Sequence, residues 1–193
     1  MKRALLGLAA TVIAAAGSAL VAAPAQAAPL TPVPQLEVTR YVGDWYQLAA
    51  NPAPYNIDCV RDTTANYTLL DERNVRVENS CTTITGERRG IVGNARVNDT
   101  ASLHVSFPGV PFQDSLDGPS NYIVTYLADD YSWALVGDPS RVSGFVLSRS
   151  PVVDDAAWQQ IRTVVEGAGY NSCLMLTSPT TEGLQEIRPL CTV

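Results

Sequence analysis

The sequence contains little positive charge and almost no histidine. Its 193 residues include 13 lysines and arginines against 19 aspartates and glutamates, and His104 is the only histidine. A chain with a net charge of −6 is repelled by nucleic acid phosphates, so we expect no nucleic acid partner. One histidine also argues against a histidine-rich metal site and against a nucleophile that a histidine base activates.

The four cysteines are spaced too widely for a metal site, because none of them forms a C-x2–4-C pair. An even number of cysteines in an exported chain instead predicts two disulfides. We favour pairing each cysteine with its nearest neighbour in sequence, because each such pair flanks a predicted hairpin. These pairs are Cys59–Cys81 and Cys173–Cys191, and the crossed pairing of Cys59 with Cys191 remains an alternative.

Residues 1–27 have the layout of a secretory signal peptide. Lys2 and Arg3 form a charged start, an alanine-rich apolar run covers residues 5–21, and residues 25–27 supply an A-x-A cleavage site. The run is short for a membrane span, and an uncleaved membrane anchor is the alternative. Cleavage leaves a secreted single domain, residues 28–193, which loses two of the 13 basic residues and has a net charge of −8. The alanine-rich composition favours a bacterial source.

Most of the remaining chain consists of short segments in which apolar and polar residues alternate. This period of two, with turn residues between the segments, predicts antiparallel strands that form a sandwich or a barrel. An eight-stranded barrel is just wide enough to be filled by side chains or to hold one small ligand. The predicted strands cover residues 41–49, 64–69, 75–78, 90–97, 103–107, 122–127, 132–136 and 144–149, with a short strand at 173–177.

Two segments interrupt the alternation. Residues 108–120 form a loop rich in proline, glycine and aspartate, and loops of this length tend to be functional or mobile. After Asp154, a residue that can cap a helix, Trp158, Ile161 and Val165 recur on one helical face. We therefore expect one amphipathic helix that packs on the outside of the sheet.

Three motifs in chain order resemble those of the lipocalin family, in the branch of bacterial lipocalins and apolipoprotein D. Residues 43–45 match the G-x-W of the first strand, and residues 131–151 resemble the last two strands and the third motif, which ends at Arg149. The second motif, usually Thr-Asp-Tyr, is half present, because residues 128–131 read Ala-Asp-Asp-Tyr. The resemblance implies an eight-stranded antiparallel up-and-down β-barrel with one C-terminal α-helix packed outside.

The resemblance also assigns structural roles at the closed end of the barrel. Gly43 would let the first strand bend as it enters the barrel, and Trp45 would then point inward. Arg149 would reach the same end and stack on the Trp45 ring, a contact worth about 0.5–2 kcal/mol.

If Trp45 points inward, the alternation of residues along each of the remaining strands assigns the face of that strand that points into the barrel. That interior is apolar with a few polar groups, as in ligand pockets, and the small residues Gly93 and Ala95 favour space inside. A barrel filled by its own side chains is the alternative. The predicted ligand-binding residues are Ala65, Tyr67, Leu69, Val75, Val77, Ile91, Ala95, Leu103, Val105, Phe107, Asn121, Ile123, Trp133, Leu135, Phe145 and Leu147.

The resemblance implies a protein that binds a small hydrophobic ligand, such as a fatty acid or a lysophospholipid, and stores or carries it. We expect no metal, no cofactor and no catalytic residue, since the alternation places His104 outward and finds no inward pair of titratable side chains. The alternatives are an enzyme that acts on a bound lipid or pigment, and a haem-binding barrel with Tyr67 as the iron ligand. Lipid membranes are a further candidate partner, through peripheral contact, and the sequence does not predict the oligomeric state.

Overall fold

The computed structural model describes residues 28–193, apart from the side chains of Tyr55 and Asn56, so the predicted signal peptide at residues 1–27 lies outside the described residues. Within that range the chain forms nine β-strands and two α-helices. The strands are β1 (Gly43–Ala50), β2 (Cys59–Leu69), β3 (Asn74–Thr83), β4 (Arg88–Asp99), β5 (Ser102–Ser106), β6 (Tyr122–Leu127), β7 (Trp133–Gly137), β8 (Gly144–Ser148) and β9 (Leu176–Thr177). The helices are α1 (Val38–Tyr41) and α2 (Asp155–Gly167).

The first eight strands pair in sequence order and close into a barrel. Each strand is antiparallel to the next, and β1 pairs with both β2 and β8. The ninth strand, β9, adds a short pairing to β1. Closure joins the first and last strands of the barrel and so protects edges that would otherwise offer unpaired main-chain groups to other chains. The predicted eight-stranded antiparallel up-and-down barrel is confirmed.

The two ends of the barrel are built differently. The start of β1, the end of β2 and the end of β8 lie together, because Gly43 pairs with Tyr67 and Tyr46 pairs with Ser148. We call this the closed end, since α1 leads into β1 there. The connections β1–β2, β3–β4, β5–β6 and β7–β8 lie at the opposite end, which we call the open end.

Helix α2 begins and packs as predicted. The Asp154 carboxylate accepts a hydrogen bond from the main-chain N–H of Ala157 at 2.8 Å, which caps the first turn. Trp158, Ile161 and Val165 are buried against the outer surface of the barrel. We call the resulting cluster the outer core; its members are Leu30, Leu48, Ala49, Ile123, Trp133, Leu135, Val146, Trp158, Ile161, Val165, Tyr170, Met175 and Leu190.

Three side chains that we predicted to face the interior belong to the outer core instead. Ile123, Trp133 and Leu135 pack in the cluster formed with α2, so their predicted direction was wrong. The reason is that β7 is buried at all five positions: a strand covered on both faces carries no alternation to set its phase. The interior positions of these strands are occupied by Tyr122, Val124, Ala134 and Val136.

Three further residues that we predicted to line the interior are exposed, and two of them, Leu69 and Ile91, still lie on the predicted interior face of the sheet. Leu69 ends β2 and is 37% exposed, and Ile91 on β4 is 39% exposed. Asn121 lies just before β6, and its side-chain amide accepts from the main-chain N–H of Val105 at 2.7 Å and donates to the Val105 carbonyl at 2.9 Å. Asn121 therefore extends the pairing with β5 and does not line the interior.

The favoured disulfide pairing is confirmed, with bonds Cys59–Cys81 and Cys173–Cys191. The first joins the start of β2 to β3, and the second joins the segment after α2 to the end of the chain. Their sequence separations are 22 and 18 residues. Closing loops of this size removes unfolded-state entropy worth about 3 kcal/mol each.

Candidate ligand-binding site

Arg149 closes the floor of the barrel together with Trp45. The guanidinium carbon of Arg149 lies 3.7 Å from the centroid of a Trp45 ring, so the predicted stacking is confirmed. Arg149 also donates hydrogen bonds of 2.7 to 3.1 Å to four main-chain oxygens. The acceptors are the carbonyl oxygens of Arg40, Tyr41, Val42 and Asp44. One cation thus fixes α1, the start of β1 and the end of β8 in one arrangement.

Gly43 is required by this floor for two reasons. Its φ is +99°, in the region that glycine adopts far more readily than other residues. A Cβ atom at this position would lie 3.3 Å from an Arg149 guanidinium nitrogen. The bend places Trp45 inward, where it is fully buried and its Nε1–H donates to the Tyr41 carbonyl at 2.8 Å.

Three tyrosines meet directly above the floor. The hydroxyl oxygens of Tyr41 and Tyr122 are 2.8 Å apart, and those of Tyr122 and Tyr67 are 3.1 Å apart. The ring of Tyr67 stacks on that of Tyr41 at 5.9 Å between centroids and meets that of Tyr122 edge-on at 6.2 Å. We call these residues the tyrosine cluster. The sequence identified only Tyr67, because Tyr41 lies in α1 and the direction of β6 was wrongly assigned.

Burial keeps the tyrosine cluster neutral. It raises the pKa of Tyr67 to about 12, and it raises the pKa values of Tyr41 and Tyr122 well above the ordinary value of a tyrosine. All three hydroxyls therefore act as neutral hydrogen-bonding groups near neutral pH.

The interior is narrower beside β5 than the sequence indicated. We took Gly93 as a sign of space, but a Cβ atom at Gly93 would lie 2.5 Å from the ring of Phe107. Phe107 therefore occupies the room that the glycine leaves. On the opposite wall the ring of Phe145 lies 5.7 Å from that of Tyr122. Aromatic rings thus continue from the floor toward the open end.

The interior face becomes accessible near the open end. Asn79 pairs with Ala65 on one side and with Ile91 on the other, so all three share the interior face. Ala65 is 7% exposed, whereas Ile91 is 39% exposed. The side-chain oxygen of Asn79 is buried and has no hydrogen-bond partner among residues 28–193. The interior face is thus buried at Ala65 and partly exposed at Ile91, which lies nearer the open end.

The structure brings most of the predicted lining residues into one interior cluster. The residues that were correctly placed there are Ala65, Tyr67, Val75, Val77, Ala95, Leu103, Val105, Phe107, Phe145 and Leu147. The sequence missed interior residues that follow turns or lie in the segment before β1. These include Leu36, Tyr41 and Ala101.

His104 faces outward, as predicted, and holds the β5–β6 loop. Its Nδ1 lies 2.8 Å from the Pro119 carbonyl oxygen, and its Nε2 lies 3.0 Å from the Ser115 carbonyl oxygen. Beside it on the outer face, Arg96 forms an ion pair with Asp117 of the same loop. The loop therefore folds back over the outer surface of β4 and β5.

Among residues 28–193 no group of three or more histidine, cysteine, aspartate or glutamate side chains could hold a metal ion. No helix in that range is long and apolar enough to cross a membrane.

Comparison with known proteins places this barrel in a family. The sequence profile of the lipocalin-like domain matches residues 36–180. The chain is 32% identical over 151 residues to temperature-induced lipocalin-1 of Arabidopsis thaliana, with 76% of this chain and 81% of the relative covered. It is 31% identical over 158 residues to the outer membrane lipoprotein Blc of Citrobacter freundii, with 78% and 84% covered.

A solved structure agrees with this assignment at the level of the fold. The cockroach allergen Per a 4 superposes with a TM-score of 0.61 at 18% sequence identity, and the match covers 81% of this chain and 96% of the allergen. Together with the sequence matches, these findings show that the chain belongs to the lipocalin family.

Proposed function

We propose that this protein is a secreted lipocalin that binds a small hydrophobic molecule in the barrel interior and stores or carries it. Lipocalins bind small hydrophobic ligands, and the candidates here are fatty acids, lysophospholipids and similar lipids. The change of burial along the interior face supports this proposal most directly. The floor is closed by Arg149 and Trp45, while Ile91 on the same interior face is 39% exposed near the mouth.

Burial of apolar ligand surface would supply the binding free energy, at about 25 cal/mol per Å² removed from water. No charged side chain among residues 28–193 is fully buried, so the interior offers a carboxylate no buried cation. An isolated buried carboxylate is strongly unfavourable. We therefore place the carboxylate of a fatty acid at the open end, in contact with water, and expect the affinity to depend weakly on salt.

The proposal is binding without catalysis. The titratable groups that meet in the interior are the three hydroxyls of the tyrosine cluster, which burial keeps neutral. General acid–base catalysis needs groups whose pKa values lie near the working pH, and these pKa values lie far above it.

Two features bear on where the protein acts. The two disulfides are typical of proteins in oxidising compartments, which supports secretion. Each open-end connection carries a strongly exposed apolar side chain: Ile57, Ile84, Phe112 and Val142. Contact of these side chains with lipid membranes stays a prediction.

Two neighbouring residues of β4 test the proposed site. Ile91 faces the interior and Val92 faces outward opposite Glu78, and they are 39% and 46% exposed. Uptake of a fluorescent fatty acid by the mature protein should fall about tenfold or more in Ile91→Asp, because an unpaired carboxylate would face the ligand. Val92→Asp is the matched control and should bind like the wild type.

The outcomes separate binding inside the barrel from the alternatives. Native mass spectrometry of the wild type, followed by organic extraction, should show a co-purifying lipid if the protein is produced in a secreting host. A protein that neither carries a lipid nor takes up the fluorescent fatty acid would favour the filled barrel. Equal loss of uptake in both variants would place the ligand outside the barrel.

A further inference from the structure

We propose that Tyr67 donates a hydrogen bond to the inner end of the ligand. The preferred ligand would then carry a neutral acceptor, such as a ketone, aldehyde or ester oxygen, on an otherwise apolar body. This inference rests on the proposed function, because it specifies the ligand of the same site.

The donors and acceptors of the tyrosine cluster lead to this assignment. Each tyrosine hydroxyl has one proton to donate. The geometry makes Tyr122 the donor to Tyr67, so the contact between Tyr41 and Tyr122 requires Tyr41 to donate to Tyr122. The hydroxyl oxygen of Tyr67 accepts the last hydrogen bond in this row of three hydroxyls. Its own proton has no acceptor among the side chains and main-chain oxygens that the structure describes.

An unpartnered donor at this depth is costly. Tyr67 is 7% exposed, and a buried polar group without a partner loses the hydrogen bonds that water would supply. An acceptor on the ligand would restore one of them. The two upstream hydroxyls would strengthen this bond, since hydrogen bonds in a chain polarise one another.

The position of Tyr67 makes its proton a contact for the inner end of the ligand. Tyr67 pairs with Val77 on β3, and Asn79 and Ile91 lie on the same interior face two positions nearer the open end. A ligand that enters at the mouth therefore passes these residues before it reaches Tyr67.

A neutral acceptor fits this position better than a carboxylate. The nearest cation at the floor is Arg149, and its guanidinium stacks on Trp45 and donates to main-chain oxygens. A carboxylate beside Tyr67 would have one neutral donor and no partner of opposite charge, which does not compensate its loss of hydration. A neutral carbonyl oxygen carries no charge, so the single hydrogen bond that Tyr67 can donate compensates its loss of hydration.

A pair of nearly isosteric ligands tests the proposal. In 2-undecanone the oxygen accepts a hydrogen bond, whereas 2-methyl-1-undecene carries a CH2 group in its place. Competition with a bound fluorescent fatty acid measures both affinities. The wild-type protein should prefer the ketone by about threefold to tenfold, the ratio that one net hydrogen bond provides.

Two phenylalanine variants locate the donor. Tyr67→Phe should lose this preference or reverse it in favour of the alkene, because the buried ketone oxygen would then have no donor. Tyr41→Phe removes a hydroxyl of the same cluster but leaves the Tyr67 proton in place, so it should keep most of the preference. Undecanoate is the third probe, and its affinity should not fall in Tyr67→Phe, because its carboxylate remains at the mouth.

The opposite results would contradict either the role of Tyr67 alone or the proposed function as well. Equal binding of ketone and alkene by the wild-type protein would overturn this inference alone and leave the proposed function standing. A preference that survives in Tyr67→Phe, or disappears equally in Tyr41→Phe, would also overturn it. Failure of the fluorescent fatty acid and all three probes to bind would overturn the proposed function and this inference with it.

Discussion

The barrel has two halves that differ in what covers their outer surface. In the half formed by β2 to β5 the outer face meets mainly solvent, and Val75 and Val77 are buried while Arg76 between them is exposed. In the half formed by β6, β7, β8 and β1, the N-terminal segment, α2 and the C-terminal segment cover the outer face, and β7 is buried at every position. A strand thus shows a pattern in its sequence only where its two faces meet different surroundings.

The largest expected effect is a loss of stability, which should differ between the outer faces of the two halves. Leu135 on β7 is fully buried in the outer core, whereas Val92 on β4 is 46% exposed. Leu135→Ala should lower the free energy of unfolding by about 2–5 kcal/mol, and Val92→Ala by less than about 0.5 kcal/mol. Urea denaturation followed by circular dichroism measures both. Similar losses in the two variants would contradict the difference between the halves.

The next effect is a loss of stability at high pH, and it tests whether contacts inside the barrel join the two halves. Tyr67 on β2 and Tyr122 on β6 belong to different halves and share a hydrogen bond. Burial raises the pKa of Tyr67 to about 12, while an unfolded tyrosine titrates near pH 10. The stabilising effect of the neutral form is therefore complete below pH 10 and is lost as the pH rises toward 12.

For Tyr67 alone this loss amounts to about 3 kcal/mol. Denaturant unfolding between pH 9 and pH 12 should show the decline, and Tyr67→Phe should make it smaller. A free energy of unfolding that stays constant to pH 12 would show that the cluster is not buried as described.

The smallest effect concerns the β5–β6 loop on the outer face of the half formed by β2 to β5. Both ring nitrogens of His104 face carbonyl oxygens, which only accept hydrogen bonds, and a neutral imidazole has one N–H. The charged groups beside it, Arg96 and Asp117, are paired with each other. The imidazole ring therefore holds the loop through one N–H···O hydrogen bond and lies against the second carbonyl oxygen.

Hydrogen exchange of the loop amides 113–118 should be about threefold to tenfold faster in His104→Phe than in the wild type, because the variant loses one hydrogen bond to the loop. The phenylalanine keeps a ring beneath the loop and removes both nitrogens, so the comparison isolates the hydrogen bond from the packing of the ring. Equal exchange in the two proteins would show that the His104 contacts do not hold the loop.

The difference between the halves also explains how far the sequence predicted the molecule. The fold, the disulfide pairing, the capping of α2 by Asp154 and the stacking of Arg149 on Trp45 depend on local patterns and are confirmed. The interior faces of β2, β3 and β5 were assigned correctly, because polar neighbours mark their outer sides. On β6 and β7 both faces carry apolar residues, so the sequence did not show which face points into the barrel, and Tyr122 was missed.

The N-terminal segment determines how an attached protein would face a surface. The carbonyl oxygen of Ala28 accepts a hydrogen bond of 2.7 Å from Arg141, in the β7–β8 connection at the open end. The carbonyl oxygen of Val193 accepts a hydrogen bond of 2.7 Å from Arg162 of α2, on the barrel wall. Immobilisation through residue 28 would therefore point the open end toward the support, whereas immobilisation through residue 193 would present the wall and leave the open end clear.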